Sequence, residues 1–184
     1  MEGKARPGAL SLRIDWIEIR SYANELETCM YSGAAKQADG SLRGFRFEPG
    51  GAEEAARKGY FNLSQDVNVL GEKMVQTAAR FFSEMVRKYG VASSNIDWTL
   101  PHLSSYFFQQ PIYEAMAKLG EAPPPERWFT NLKYKGNTGS ASIFIMLEEL
   151  FKSGKLKAGQ RILCLVPESA RFTFACMQLT VVDA

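Results

Sequence analysis

Two hydrophobic periods mark the first half of the chain, one with the spacing of a strand and one with that of a helix. Between Leu10 and Trp16 apolar side chains alternate with polar ones, which predicts a half-buried strand. A long helix is predicted where apolar residues recur every three or four positions, at Val67, Leu70, Met74, Ala78, Phe81, Met85 and Tyr89. Asp66 or Ser64 is suited to cap the start of this helix, and Gly90 is suited to end it.

The second half of the chain alternates further strands with helices. Strands are predicted at Ile96–Leu100, Trp128–Thr130, Arg161–Val166 and Phe172–Val182, and a helix at Tyr106–Leu119. The run Arg161–Val166 is apolar at nearly every position, which is typical of a strand in a sheet that is covered on both faces. This alternation predicts a mixed α/β layer fold, and we expect residues 1–184 to form a single domain.

A long stretch from about residue 24 to residue 59 interrupts this alternation and is rich in glycine and small side chains. Within it we predict only a short strand at Phe45–Phe47 and a helical turn at Ala52–Lys58, followed by a short strand at Tyr60–Leu63. Excursions of this length in a compact domain usually cover a site or contact a partner. We expect one of these roles here.

A tight polar turn followed by an apolar helix occupies the segment Lys135–Leu150. Four residues repeat at helical spacing on one side of the predicted helix, Ile143, Met146, Leu147 and Leu150, while Phe144 and Ile145 fill much of the other side. Such a pattern predicts a buried helix. On this local evidence Asn137 is more readily a helix cap than a functional group, because its side-chain oxygen is suited to accept from the first free N–H groups.

Charge and cysteine content limit the classes of function. The chain has 22 lysines and arginines against 20 aspartates and glutamates, and the net charge of +2 argues against nucleic acid or an anionic membrane as partner. The three cysteines, Cys29, Cys164 and Cys176, lack metal-ligand spacing and suggest reduced residues in a cytoplasmic protein. The sequence shows neither a membrane-spanning run nor the apolar segment of a secretory signal.

Functional sites in layered α/β folds usually lie at strand ends and helix starts, and two polar residues of this chain occupy such positions. His102 is the only histidine and directly follows a predicted strand, and Asn137 opens the apolar helix. A lone histidine after a strand is more often an ordinary surface residue than a catalyst. The wider order of motifs reverses that preference.

Four segments in order carry a resemblance to a known family: Trp98–His102, Ala117–Gly120, Lys135–Ser142 and Lys157–Leu163. Their Pro-His and Gly-Asn-Thr elements, with this spacing and strand–helix order, resemble the C-terminal half of β-ketoacyl-acyl carrier protein synthase III, a thiolase-like condensing enzyme. The resemblance extends over essentially the whole chain. It implies a thiolase-like half-domain, with a layered mixed β-sheet, a buried helix and covering helices.

The resemblance also implies a chemistry. In that family a cysteine in the N-terminal half carries an acyl thioester, and a histidine and an asparagine of the C-terminal half bind the thioester carbonyl of a malonyl group. Carried over, these catalytic residues are His102 and Asn137. The implied substrate-binding residues are Leu103, Ser104, Ser105, Phe107, Ser169 and Ala170. The implied enzyme is an acyltransferase of fatty acid or polyketide biosynthesis that uses thioesters of acyl carrier protein or coenzyme A and needs no cofactor.

Three departures from the family pattern leave alternatives open. None of the three cysteines opens a helix, so we expect the nucleophile on another polypeptide segment. That N-terminal half is either a separate subunit or another part of a longer gene product, and we also expect a homo- or hetero-oligomer. At Val166–Phe172 bulkier and charged residues replace the glycine-rich loop of the family. Acyl transfer to oxygen or nitrogen is therefore an alternative to carbon–carbon bond formation. Phe107 stands where an arginine is common. The alternatives are a non-catalytic partner subunit of a complete condensing enzyme and an acyl-carrier-binding module.

Overall fold

The computed structural model describes residues 8–183, which form eight strands and five α-helices. The strands are β1 (Leu10–Ser21), β2 (Met30–Tyr31), β3 (Ala34–Lys36), β4 (Leu42–Gly44), β5 (Ser64–Gln65), β6 (Trp98–Pro101), β7 (Arg161–Glu168) and β8 (Thr173–Asp183). The helices are α1 (Gly51–Arg57), α2 (Val67–Tyr89), α3 (Gln109–Lys118), α4 (Leu132–Lys135) and α5 (Ser142–Lys152). Contacts group them into two compact units: described residues up to 19 with 78–167 and those from 174 on, and residues 20–77 with 168–173. The stretch predicted as an excursion lies in the second unit.

A four-stranded sheet in the order β1-β8-β7-β6 forms the centre of the first unit. Strands β6 and β7 run parallel, with Trp98 opposite Ile162 and Leu100 opposite Cys164. Beyond β6 the predicted strand at Trp128–Thr130 is reduced to one parallel bridge between Thr99 and Trp128. The sheet is a mixed sheet, and β1 lies at one of its edges.

Packing on this sheet explains why β7 is apolar at nearly every position. Ile162 belongs to a buried cluster with Met146 and Leu150 of α5, and its neighbour Leu163 is also fully buried. Since adjacent residues of a strand point to opposite faces, both faces of β7 are covered. Helix α2 packs on the same sheet, where its Phe81 ring lies 5.9 Å from that of Phe174. These observations confirm the layered α/β architecture.

Local capping rules fix the limits of α2, the longest helix that the structure describes. The carboxylate of Asp66 accepts hydrogen bonds from the backbone N–H groups of Asn68 at 3.2 Å and Val69 at 3.0 Å, which confirms the predicted N-cap. At the other end Gly90 has a φ of +63°, a conformation that glycine adopts without steric cost. Within residues 8–183, no helix combines the length and the apolarity needed to cross a membrane.

Helix α5 is buried along one face and open along the other. Ile143, Met146 and Leu150 are buried against the sheet, as the helical spacing predicts. Phe144 is 59% exposed and Phe151 is 38% exposed, so part of the apolar surface on the second face is left uncovered by the described residues. Helix α5 is apolar on both faces, but within this chain only one of these faces is buried.

The second unit departs from the prediction at two short segments. Phe45–Phe47 forms a 3-10 turn and not a strand, because the strand pairing of this region is used by β3 and β4, with Ala34 opposite Gly44. Tyr60–Leu63 is a turn, and strand pairing begins only at Ser64, opposite Tyr31. The predicted helical turn at Ala52–Lys58 is confirmed as α1.

Candidate active site

His102 lies directly after β6 and is held by the neighbouring strand. Its backbone N–H donates to the carbonyl of Leu165 in β7 at 2.8 Å, which extends the β6–β7 pairing by one residue. The residue is 9% exposed, so the imidazole is almost wholly enclosed. The strand end therefore fixes the backbone of His102 and burial restricts its side chain.

Burial also decides the charge of this imidazole. Removal from water lowers the pKa of His102 below its ordinary value of 6.5, because the charged form is the one that loses hydration. The ring is therefore neutral near pH 7 and carries one N–H. Its Nδ1 atom is buried and has no hydrogen-bond partner among the described residues. A tautomer with the proton on Nε2 makes this histidine a neutral hydrogen-bond donor.

Asn137 lies on the surface between α4 and α5. The helix begins five residues later, at Ser142, after a 3-10 turn at Gly139–Ala141, so the expectation that Asn137 opens the helix is wrong. Its Oδ1 accepts a hydrogen bond from the backbone N–H of Gly139 at 3.0 Å. Because a backbone N–H can meet only the oxygen of the amide, this bond leaves the Nδ2 donors turned toward other partners.

A small polar network anchors the segment that carries Asn137. The Nδ2 atom of Asn131 donates to Glu149 of α5 at 2.7 Å, and Lys135 pairs with the same carboxylate at 3.4 Å. The hydroxyls of Thr138 and Ser142 lie 2.9 Å apart. The sequence reasoning missed Asn131 and Glu149. The available signal was the pair Glu148 and Glu149, which interrupts the apolar run of α5.

Residues close in sequence to the two candidate catalytic residues belong to one buried cluster. Leu100, two residues before His102, is fully buried in the same cluster as Ile143 of α5, six residues after Asn137. No hydrogen bond joins the His102 and Asn137 side chains among the described residues. The common cluster ties the end of β6 to the start of α5.

The predicted substrate-binding residues near His102 differ in their surroundings. Leu103 is buried, whereas Ser104, Ser105 and Phe107 are exposed. The hydroxyl oxygen of Ser105 accepts from the backbone N–H of Phe107 at 3.2 Å and so caps the 3-10 turn at Tyr106–Phe108. Ser104, Ser105 and Phe107 therefore lie on the surface after the histidine, whereas Leu103 belongs to the interior.

The other predicted substrate-binding residues, Ser169 and Ala170, belong to the second unit. The hydroxyl of Ser169 accepts from Gln65 at 3.2 Å. The Glu168 carboxylate accepts from the backbone N–H groups of Ala170 and Arg171, so a carboxylate shapes this loop. Phe172, fully buried, has a φ of +51°, a conformation that bulky residues rarely adopt.

The cysteines have the properties of buried structural residues. Cys29, Cys164 and Cys176 are all buried, and burial raises the pKa of each thiol, that of Cys164 to about 12. A thiol with such a pKa is protonated near neutral pH and is a poor nucleophile. Within residues 8–183, no group of three or more His, Cys, Asp or Glu side chains is arranged to hold a metal ion.

Comparison with known families decides the assignment. The family described as 3-oxoacyl-[acyl-carrier-protein (ACP)] synthase III C terminal matches residues 86–180, slightly more than half of the chain. The chain belongs to this family. The matched range of the synthase III C-terminal family contains every candidate site residue, from His102 to Ala170.

Solved structures of thiolase-like condensing enzymes share the fold at low sequence identity. The tetronic acid condensing enzyme AbyA1 aligns over 98% of this chain and 50% of its own, with a TM-score of 0.67 and 19% identity. Synthase III from Thermus thermophilus aligns over 99% and 49%, with 0.65 and 22%. OleA of Xanthomonas campestris, with bound lauric acid and lauroyl-CoA, aligns over 92% and 41%, with 0.65 and 20%. The chain thus spans about half the length of these proteins.

Proposed function

We propose that this chain is the half of a synthase III-like acyltransferase that stabilises the enolate in decarboxylative condensation. A cysteine on the complementary half carries the acyl group, and a malonyl thioester supplies the nucleophilic carbon. The observation that carries the proposal is the burial of the His102 imidazole at the end of β6, which lowers its pKa and favours the neutral ring. Asn137 is the second donor, since its oxygen is occupied by Gly139 and its Nδ2 is free to donate.

The physical logic follows from where charge develops. Loss of CO2 from a malonyl thioester leaves an enolate whose negative charge lies largely on the thioester oxygen. Two N–H donors fixed in advance stabilise charge that appears only in the transition state. A neutral imidazole and a carboxamide both supply such donors without a change of protonation state. Each donor of this kind is worth about 3–4 kcal/mol of barrier.

The open face of α5 supports a complementary half. Phe144 and Phe151 stand exposed on a helix whose other side is fully packed. An apolar helix face of this kind is typical of a protein–protein contact. The related structures are about twice as long as this chain. We therefore place the Cys-bearing half against α5, in a homo- or hetero-oligomer.

The thioester substrates follow from the same proposal. The family name refers to acyl carrier protein, and the OleA structure holds lauroyl-CoA, so a phosphopantetheine thioester is the chemistry that the two have in common. The proposed reaction uses these thioesters as substrates and needs no cofactor. The loop that the Glu168 carboxylate holds is compatible with a variant of the reaction, in which the acyl group is transferred to oxygen or nitrogen. The mass of the product distinguishes this variant from carbon–carbon bond formation.

The test combines the chain with the polypeptide that carries the missing half and measures CO2 release from a malonyl thioester. We expect His102→Ala and Asn137→Ala each to slow release roughly 10²–10³-fold. Ser94→Ala, at an exposed position outside the site, serves as the control and leaves the rate unchanged. A double variant at His102 and Asn137 as fast as wild type would overturn the proposal.

A second candidate function is a non-catalytic partner or carrier-binding subunit of a complete condensing enzyme. The surface position of Asn137 and the exposed Phe107 after the histidine favour it. In that case a copurifying chain has its own Cys-His-Asn set and retains full activity when His102 of this chain is replaced. Carrier binding without turnover in any combination identifies the binding module.

A further inference from the structure

The proposed reaction does not use Glu149, a half-buried carboxylate on α5. Its two oxygens lie at opposite ends of the short helix α4 (Leu132–Lys135). The Oε2 atom accepts from the side-chain amide of Asn131, which directly precedes α4, at 2.7 Å. The Oε1 atom lies 3.4 Å from the ammonium of Lys135, the last residue of α4. One carboxylate on α5 therefore holds both ends of α4.

The side chain of Asn131 is used for this contact and not for capping. Asn131 occupies the N-cap position of α4, where an asparagine ordinarily accepts from the first free backbone N–H groups. Among the described residues its side chain makes no such hydrogen bond. The hydroxyl of Thr130 accepts from the N–H of Leu132 in its place, at 3.3 Å. The amide of Asn131, a residue only 8% exposed, is thus committed to Glu149.

The position of α4 determines where the chain presents Asn137. Asn137 follows the end of α4 by two residues, and the residue between them, Gly136, is tied to the helix by a hydrogen bond from its N–H to the carbonyl of Leu132 at 2.9 Å. A helix of four residues is too short to be stable by itself. Contacts with other elements must therefore hold α4, and with it the backbone that leads into Asn137.

Helix α5 is the fixed element in this arrangement. Its buried face packs in the core cluster of the sheet, so its own position does not depend on Glu149. The neighbouring Glu148 is exposed and pairs with Lys152 along the same helix. Of these two adjacent carboxylates, Glu149 is therefore the one that joins α5 to α4.

We infer that Glu149 is a positioning residue, which keeps the amide of Asn137 aligned for donation by way of Asn131 and α4. The inference rests on the proposed function, since Asn137 is a catalytic donor only in that function. There it stabilises charge that appears in the transition state, so a loss of alignment lowers kcat and changes KM little. The contact with Asn131 carries most of the effect because it is short and largely buried, whereas the pair with Lys135 is longer and exposed.

Steady-state release of CO2 by the chain together with its complementary half tests the inference. We expect Glu149→Ala to lower kcat roughly 10–10²-fold, with KM within about threefold of wild type. Glu149→Gln keeps an acceptor oxygen for the amide and recovers most of the rate. Asn131→Ala lowers kcat as Glu149→Ala does, and Lys135→Ala lowers it less. Glu148→Ala is the matched control and leaves kcat unchanged, because its carboxylate is exposed.

A second set of measurements separates positioning from a general loss of stability. In the Asn137→Ala background we expect Glu149→Ala to have no further effect on kcat, because the side chain through which it acts is already absent. A loss of folded protein would lower the rate by the same factor in both backgrounds. Hydrogen exchange gives a readout that is independent of catalysis. In Glu149→Ala the N–H groups of residues 136–139 should exchange faster, by a larger factor than those of residues 143–150.

Any of four results would overturn the inference. They are a wild-type kcat in Glu149→Ala, an undiminished effect of that variant in the Asn137→Ala background, an equal loss in Glu148→Ala, and exchange at residues 136–139 that rises no more than at residues 143–150. The proposed function fails in a different way, when CO2 release is absent in every combination or does not depend on Asn137. The positioning role then fails with it, and the exchange measurement shows whether Glu149 still holds the segment as a purely structural contact.

Discussion

The carboxylate of Glu149 in α5 holds the side-chain amide of Asn131 at 2.7 Å and thereby links α5 to the segment that leads into Asn137. Asn131 is 8% exposed, so its amide has little access to water that would replace this partner. The relationship joins two residues 18 positions apart, and it explains how a surface loop is kept in one place next to the start of α5.

Removal of the Glu149 carboxylate should destabilise the fold locally. We expect Glu149→Ala to lower the free energy of unfolding by about 1–3 kcal/mol, because the buried amide of Asn131 loses its acceptor. Glu149→Gln keeps one acceptor oxygen and should recover part of the loss. Urea denaturation measures both. Glu148→Ala is the matched control, since Glu148 is exposed and its pair with Lys152 is worth little; an equal effect of the two alanine variants would contradict the assignment.

Protonation of His102 should oppose folding. Burial lowers its pKa in the folded state below the unfolded value of 6.5, so the unfolded chain takes up the proton more readily. The contribution of His102 is therefore fully present above pH 6.5 and is lost as the pH falls below that value toward the folded pKa. Since His102 is the only histidine, one imidazole resonance in NMR reports its midpoint directly.

The control for this pH dependence is His102→Gln, which removes the titrating group and leaves the carboxylates in place. We expect wild type to lose unfolding free energy relative to the variant between pH 7.5 and pH 5, because the two proteins differ only in the titrating imidazole. An imidazole midpoint at or above 6.5 would show that the ring is hydrated, and the neutral-donor interpretation would then be wrong.

At position 172 we expect the glycine variant to be more stable than the alanine variant, which is the reverse of the usual order. Loss of the buried Phe172 ring costs about 3–5 kcal/mol in either variant. At a φ of +51° alanine retains the left-handed strain of about 1–2 kcal/mol, whereas glycine does not. Phe172→Gly is therefore expected to be more stable than Phe172→Ala in urea denaturation. The same pair at buried Phe174, which lacks a positive φ, should show the ordinary order with alanine the more stable.

The open face of α5 gives a prediction about association. We expect Phe144→Ser to leave the stability of the chain within about 0.5 kcal/mol of wild type, since the ring is already 59% exposed. Met146→Ser, two positions along and buried, should cost about 2–5 kcal/mol. With the complementary half present, Phe144→Ser should weaken co-purification. Unchanged co-purification would place that half elsewhere.

Local signals were sufficient for much of the fold. Asp66 and Gly90 set the limits of α2 because a cap and a left-handed glycine act within one turn of the chain. The apolar run Arg161–Val166 predicted a strand covered on both faces, and Ile162 and Leu163 are buried accordingly. The position of His102 at a strand end also followed from the pattern, since β6 ends where the apolar run meets Pro101.

Other features depend on contacts that sequence spacing does not carry. Phe45–Phe47 has the composition of a strand, but pairing of β3 with β4 ends at Gly44 and leaves the phenylalanines in a turn. The pairing of Asn131 with Glu149 joins the N-cap residue of α4 to α5, and no local rule predicts it. Asn137 was expected at the helix start, yet its side chain bonds within its own loop and the helix begins later.

The position of β1 at the edge of the sheet has a consequence for how the chain is made in the cell. Ile14, Ile17 and Ile19 are each about half exposed along a strand of 12 residues. Edges of this length and character invite pairing with other copies during synthesis. If this chain is synthesised without a partner that covers the β1 edge, we expect it to aggregate. Its yield and solubility should therefore depend on co-expression of that partner.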